Sequence, residues 1–192
     1  MKTNRLEAFS DGVLAIIITI MVLELKIPEG NTLESLKPLL PTFITYILSF
    51  VYLGIYWNNH HHLMHASNVV NGKVLWANLH LLFWLSLLPF ATGFMGENHF
   101  ESLPTALYGL VLLMASIAWG ILFYVLRAQH SDDTVFSKAY RSVWKAYMST
   151  ALYAAATALS FFSPVIAISI YVFVAVLWFI PNKKIEQNII AE

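Results

Sequence analysis

Six long apolar segments, separated by short polar or helix-breaking stretches, account for most of the chain. Their bounds are about 6–26, 42–60, 74–95, 103–127, 143–162 and 163–181. Crossing a hydrocarbon core of about 30 Å takes about 20 helical residues, and each segment is close to that length. The pattern therefore predicts an all-α membrane protein, a single domain over residues 1–192 with six transmembrane helices.

Composition agrees with this class of protein. The chain is 58% hydrophobic and 11% charged, whereas a soluble domain averages about 25% charged residues. The formal net charge is zero and there is no cysteine, so we expect no nucleic-acid partner, no disulfide and no iron–sulfur cluster. An enzyme would need convergent acid, base or metal-ligating residues, and only the histidine cluster described below qualifies, so neither an enzyme nor a cofactor is expected.

Lysine and arginine are distributed unevenly between the two predicted sides of the membrane. If the N-terminus is inside, nine of them are cytoplasmic: Lys2, Arg5, Lys73, Arg127, Lys138, Arg141, Lys145, Lys183 and Lys184. Only Lys26 and Lys37 are then external. The positive-inside rule therefore predicts cytoplasmic N- and C-termini, in a multi-pass protein of the cell membrane.

The first segment carries an apolar stripe. Ile16, Ile20 and Leu23 recur at i, i+4 and i+7, the spacing of one helix face, and Thr19 lies at its edge. Ser10 and Asp11 point elsewhere, and Asp11 is six residues from Arg5, too far for a pair along one face. The stripe is also compatible with ordinary packing or lipid contact, and Asp11 with a helix cap or an interface charge.

The segment Arg5-x-x-x-Phe9-Ser10-Asp11, at the start of the first of six spans, resembles the signature of the transmembrane protein 175 family of potassium channels. Trp57-Asn58-Asn59-His60-His61 and Asn78-Leu79-His80 with Trp84 are similar to that family too. The resemblance implies a prokaryotic member with one six-helix unit. It would assemble as a homotetramer in the bilayer, around a pore lined by the four first helices. Potassium would be the permeant ion, and Rb⁺ and Cs⁺ are plausible.

The resemblance also implies roles for individual residues. Ile16, Ile20 and Leu23 would form the pore constriction, and Thr19 matches a hydroxyl position near it. The signature residues would hold the first helix against the second and third. They are Arg5, Phe9, Ser10 and Asp11, with Asn78, His80 and Trp84 as candidate partners.

Conduction would then differ from that of carbonyl-lined potassium filters, because the chain has no Thr-Val-Gly-Tyr-Gly segment and Tyr108-Gly109 is expected to be packing. A narrow apolar ring can gate by losing its water, with a modest preference for potassium over sodium. Glu24 is expected either to attract cations at the external mouth or to pair with Lys26. The alternative function is a proton-coupled or cation secondary transporter, which the apolar midplane disfavours.

The densest histidine cluster is His60, His61, His62 and His65. Only His61 and His65 have i, i+4 spacing, and no carboxylate or cysteine lies near them in the sequence. We therefore expect a structural or interface role and no metal site, with proton sensing or metal binding as the alternatives.

Overall fold

The computed structural model describes residues 3–67, 70–129 and 144–179, and these residues form helices joined by short turns and loops. Its α-helices within those ranges are α1 (Thr3–Leu23), α2 (Leu33–Leu36), α3 (Leu40–His65), α4 (Gly72–Ser86), α5 (Leu88–Glu97), α6 (Ser102–Arg127), α7 (Trp144–Leu159) and α8 (Pro164–Phe179). A 3-10 turn, Lys37–Leu39, joins α2 to α3. The predicted all-α fold class is confirmed.

Among the described residues, four segments are long and apolar enough to cross a membrane: Thr3–Leu23, Leu33–His65, Gly72–Glu97 and Ser102–Arg127. Helices α7 and α8 have 16 residues each and border parts of the chain outside the described ranges. The outer ends of the fifth and sixth predicted spans lie there too. So do five of the cations used to predict the orientation, namely Lys2, Lys138, Arg141, Lys183 and Lys184.

The third apolar segment is interrupted between α4 and α5, at Leu87. Pro89 lies two residues further on, in the first turn of α5. Proline has no N–H, and its ring clashes with the carbonyl four residues earlier. The Leu87 N–H donates to the carbonyl three residues earlier, that of Trp84, at 3.2 Å. Helical hydrogen bonding to the fourth residue back begins again with Ala91 N–H, which donates to the Leu87 carbonyl at 3.0 Å. The proline thus explains why one span is built from two helices.

Helix α1 packs against α3, α4 and α5, while α6 packs against α4, α5, α7 and α8. The face of α1 that enters this bundle is apolar apart from one hydroxyl, with Leu6, Ser10, Leu14, Ile17 and Met21 buried. Deeper in the bundle, buried tyrosines bond to other helices, as where Tyr52 donates to the Tyr171 carbonyl at 2.6 Å. Helices α5 and α8 therefore contact both α3 and α6, and α1 packs on the side formed by α3, α4 and α5.

The contact between α6, α7 and α8 depends on Gly109. A Cβ at this position would overlap the Tyr171 hydroxyl and approach Thr157 Oγ1 to 2.6 Å. Its neighbour Tyr108 is fully buried, and its hydroxyl lies 3.0 Å from Ser49 Oγ. Tyr108 and Gly109 are therefore part of the packing between helices.

Candidate pore helix and its anchoring network

Helices α1 and α3 run antiparallel and are joined by polar contacts one turn apart. Asp11 Oδ1 accepts a hydrogen bond from Trp57 Nε1 at 3.0 Å. One turn earlier on α1, Glu7 Oε1 lies 2.6 Å from His61 Nδ1. At the start of α1, Thr3 Oγ1 donates to the Ser67 carbonyl at 3.1 Å. Glu7 and Asp11, spaced i, i+4 on α1, therefore face His61 and Trp57, spaced i, i+4 on α3.

A second, fully buried set of contacts joins α1 to α3 and α4. Ser10 Oγ donates to the Leu6 carbonyl at 2.9 Å and accepts from Asn78 Nδ2 at 2.9 Å. On the other side of the amide, Asn78 Oδ1 lies 2.7 Å from His60 Nε2. A hydrogen-bonded chain across three helices is well suited to an apolar interior, where an unpaired polar group is costly.

The direction of these bonds fixes the tautomer of His60. The Ser10 hydroxyl donates its hydrogen to the Leu6 carbonyl, so it accepts a hydrogen bond from Asn78 Nδ2. The amide oxygen of Asn78 then accepts a hydrogen bond from His60. His60 must carry its proton on Nε2. In the neutral ring the lone pair is then on Nδ1, which is buried without a partner among the described residues.

The other residues of the predicted network are placed differently. His80 and Trp84 bond to each other along α4, with Trp84 Nε1 donating to His80 Nε2 at 3.0 Å. Arg5 and Phe9 are exposed on α1, and within the described residues Arg5 has no ion pair. The structure thus brings Ser10 and Asn78 together and joins Asp11 to α3, but it does not bring Arg5, Phe9, His80 or Trp84 into that network.

The predicted pore residues lie on the exposed face of α1. The exposed fraction is 60% for Ile16, 42% for Ile20 and 75% for Leu23, and Phe9 on the same face is 52% exposed. The opposite face is the buried one described above. An apolar face of this length that no described residue covers calls for lipid or another protein chain to cover it.

Thr19 is also exposed on this side of α1. Its hydroxyl donates to the Ala15 carbonyl at 2.9 Å. The hydrogen is therefore used within the helix, and the oxygen lone pairs remain to accept from water or to contact a cation.

Beyond the end of α1, Glu24 is exposed. Lys26, the alternative partner considered for Glu24, instead bonds to Glu97 at 2.7 Å. That hydrogen bond, and then the charge of Glu97, raise the pKa of Lys26. Of the two roles considered for Glu24, the ion pair with Lys26 is not formed among the described residues, and Lys26 instead links the α1–α2 connection to the end of α5.

Comparison with known proteins agrees with this architecture. The family model for the endosomal/lysosomal potassium channel TMEM175 matches residues 5–89. A protein of Chryseobacterium sp. (strain P1-3), named a potassium channel, is 54% identical over 189 residues, which span 98% of each chain. The chain belongs to the TMEM175 family. The family resemblance drawn from the sequence is thereby confirmed.

Two further TMEM175 relatives are informative. A protein of Chamaesiphon minutus named a potassium channel is 32% identical over 84% of this chain and 86% of its own length. The crystal structure of a lysosomal potassium-selective channel TMEM175 homolog from the same organism matches with a TM-score of 0.76 at 29% identity. The match covers 92% of this chain and 95% of that one. The fold is therefore that of a TMEM175 channel, and the protein is a multi-pass membrane protein of an ion-channel family.

The structure corrects one observation about the histidines of this TMEM175 member. The sequence places no carboxylate near His61 and His65, but α1 brings Glu7 to them. One ligand atom from each of the three residues lies within 4.8 Å of the other two. Residues far apart in the sequence meet here because α1 and α3 are antiparallel neighbours.

Sequence reasoning missed three contributors to the anchoring contacts, namely Glu7, Trp57 and His60. A signal for two of them was present. Glu7 and Asp11 are spaced i, i+4, as are Trp57 and His61, so each pair shares a helix face. The pairing of those faces depends on the packing of α1 against α3, which no local spacing encodes.

Proposed function

We propose that this protein is a potassium-permeable channel, in which four copies assemble around a pore lined by the exposed face of α1. One observation carries the proposal, which is the division of α1 into two faces. Leu6, Ser10, Leu14, Ile17 and Met21 are buried in the bundle, while Ile16, Ile20 and Leu23 are exposed and apolar. Membership of the TMEM175 family and relatives named potassium channels support the same function.

Lipid is the competing occupant of that face, and the hydroxyl of Thr19 on it favours a pore. Arg5, Gly12 and Thr19 lie on the same exposed side as Ile16. Arg5 lies at the end of α1 that is predicted to be cytoplasmic, where its charge fits either occupant. The oxygen lone pairs that Thr19 leaves unused are better placed in a path that contains water and ions than against hydrocarbon.

In this arrangement Ile16, Ile20 and Leu23 are the constriction. A narrow ring of apolar side chains excludes water and thereby blocks ions, and widening or rotating it opens the path. Thr19 supplies oxygen atoms beside the ring. Because potassium loses its hydration water more easily than sodium, the ring favours potassium modestly. Rb⁺ and Cs⁺ should permeate as well.

The contacts at the start of α1 fix the orientation of the pore face. Ser10 and Asn78 tie α1 to α4, and Asp11 ties it to α3 through Trp57. Arg5 and Phe9 are exposed on the same side of α1 as Ile16, where in this arrangement they would meet neighbouring subunits. The hydrogen bond between His80 and Trp84 would stabilise helix α4.

The proposed orientation has both termini in the cytoplasm of a cell-membrane protein, by the positive-inside rule. Leu23 and Glu24 then lie toward the outside. Glu24 is exposed, and Lys26 is engaged by Glu97. Four copies of Glu24 would therefore concentrate cations at the external mouth.

Potassium flux from proteoliposomes tests the assignment of the constriction. Ile16→Asn and Leu23→Asn would place an amide in the apolar ring and make it easier to wet. We expect increased leak, or a reduced ratio of potassium to sodium flux. Ile117→Asn is the matched control, because Ile117 is an exposed residue of α6; its flux should equal that of the unmodified protein.

If both α1 variants showed unchanged flux and selectivity, the constriction would lie elsewhere. An Ile117→Asn effect as large as that of Ile16→Asn would mean that the amide perturbs the bundle in general. Either result would remove the support for α1 as the pore helix.

A further inference from the structure

A cluster of metal-ligating side chains lies outside the proposed ion path, near the start of α1. Glu7 of α1 faces His61 and His65 of α3, and one ligand atom from each lies within 4.8 Å of the others. Glu7 and His61 are half-buried and His65 is exposed. An ion arriving from solvent can therefore reach the cluster.

We propose that Glu7, His61 and His65 form a binding site for a transition-series divalent cation such as Zn²⁺, which joins α1 to α3 within one chain. Two imidazoles and a carboxylate are a ligand set suited to Zn²⁺ and Co²⁺. Histidines at i, i+4 present both rings on one side of a helix. Three protein ligands leave a fourth, tetrahedral position for water.

The distances require only side-chain rotation. Ligand atoms at about 2.1 Å from a tetrahedral ion lie about 3.4 Å apart. His61 Nδ1 and Glu7 Oε1 are 2.6 Å apart, so an ion between them would increase their separation by less than an ångström. The other ligand atoms lie up to 4.8 Å apart and would have to approach each other by a slightly larger distance. The ion would take the place of the proton that these two atoms share.

Two neighbours support the site. The Trp57 ring stacks on that of His61, with ring centres 6.2 Å apart and planes 24° apart, and this contact keeps the imidazole on the side of α3 that faces Glu7. Asp11 lies one turn beyond Glu7 and adds negative charge near the cation. Its Oδ1 is held by Trp57 Nε1 at 3.0 Å, so Asp11 orients this region without being a ligand.

The site needs neither conduction nor a tetramer, since all three ligands come from one chain. It also lies three turns or more from Leu23 along α1. A failure of the potassium-flux experiments would therefore leave the metal site untouched, and a failure to bind metal would leave the channel proposal untouched.

Cobalt binding to the purified protein, with any affinity tag removed, tests the inference. We expect one Co²⁺ per chain, with the visible absorption of a four- or five-coordinate ion, and displacement of that absorption by Zn²⁺. Zn²⁺ in about 100-fold excess over its dissociation constant should raise the melting temperature by roughly 5–10 °C. Glu7→Gln and His65→Gln should each weaken binding by about tenfold or more.

His99→Asn is the matched control, because His99 is an exposed histidine after α5 and asparagine tolerates its positive φ of 49°; it should bind cobalt as the unmodified protein does. His65→Gln guards against misfolding, since His65 is exposed and its ring contact is with His61 alone among the described residues. Octahedral cobalt absorption, or binding that survives both Glu7→Gln and His65→Gln, would overturn the proposal.

Discussion

Asp11 fixes the start of α1 against α3 through the hydrogen bond that its Oδ1 accepts from Trp57 Nε1 at 3.0 Å. The neighbouring Ser10 makes a different kind of contact, a buried one that reaches α4 through Asn78. Adjacent residues of one helix therefore point to two different neighbours, as expected for positions 100° apart. Both contacts orient α1, and neither side chain lies on the face with Ile16.

Asp11→Ala should lower stability and tetramer yield more than it alters selectivity. The substitution leaves the Trp57 indole N–H without its acceptor, a loss of about 1 kcal/mol at a partly exposed site. In detergent this corresponds to a melting temperature lower by about 2–4 °C. Asp11→Asn, which keeps an acceptor oxygen, should restore most of the loss.

Thermal unfolding of the three proteins, followed by ion flux on the folded fractions, checks this prediction. A variant that melts normally but changes the potassium-to-sodium ratio would show that Asp11 contacts the ion path. The same result with Asp11→Asn would make that conclusion stronger, because only the charge differs.

Residue types alone indicated the polar signature but not its partners. Asn78 was one of three candidate partners that the family resemblance suggested for the signature residues as a group, and the structure joins it to Ser10. Trp57 was not linked to Asp11, nor Glu7 to His61, because these pairs depend on the register between two helices. Such a register is decided by the packing of whole faces.

At the scale of elements, the apolar segments were readable because their length and hydropathy dominate the sequence. The third segment is the exception, since the structure breaks it at Leu87, just before Pro89. The short helix α2 and the 3-10 turn before α3 were not foreseen. They contain four residues and three residues, too few for a periodic pattern.

The helix contacts around α6 give a prediction at this scale. Gly109→Ala should destabilise the protein by about 1–3 kcal/mol, since the added methyl meets Thr157 and Tyr171 and forces the helices apart. Gly120→Ala, on the same helix but in open space, should be neutral or stabilising by up to about 1 kcal/mol.

Melting temperatures of the two variants in one detergent measure this difference. Equal behaviour of Gly109→Ala and Gly120→Ala would mean that α6, α7 and α8 are less closely packed than described. Flux is not needed for the comparison, so it tests the fold independently of the function.

At the scale of the whole molecule, the proposal requires a fourfold assembly with α1 at its centre. The chain has no cysteine, so single cysteines report on proximity without interference. Leu23→Cys, on the exposed face of α1, should form disulfide-linked dimers on mild oxidation in membranes. Phe173→Cys, exposed on α8, should not.

Gel electrophoresis under non-reducing conditions measures the fraction of disulfide-linked dimer. Crosslinking at Phe173 together with none at Leu23 would place α8, and not α1, at the subunit contact. The oligomer itself could not be read from the sequence by physical argument, because an apolar exposed face is equally consistent with lipid.

The most direct test of the account is single-channel recording from the purified protein in a planar bilayer, with potassium and then sodium as the cation. The account predicts unitary current steps that are larger in potassium than in sodium. A saturable flux without unitary steps, or one that requires a proton gradient, would contradict it and indicate a secondary transporter.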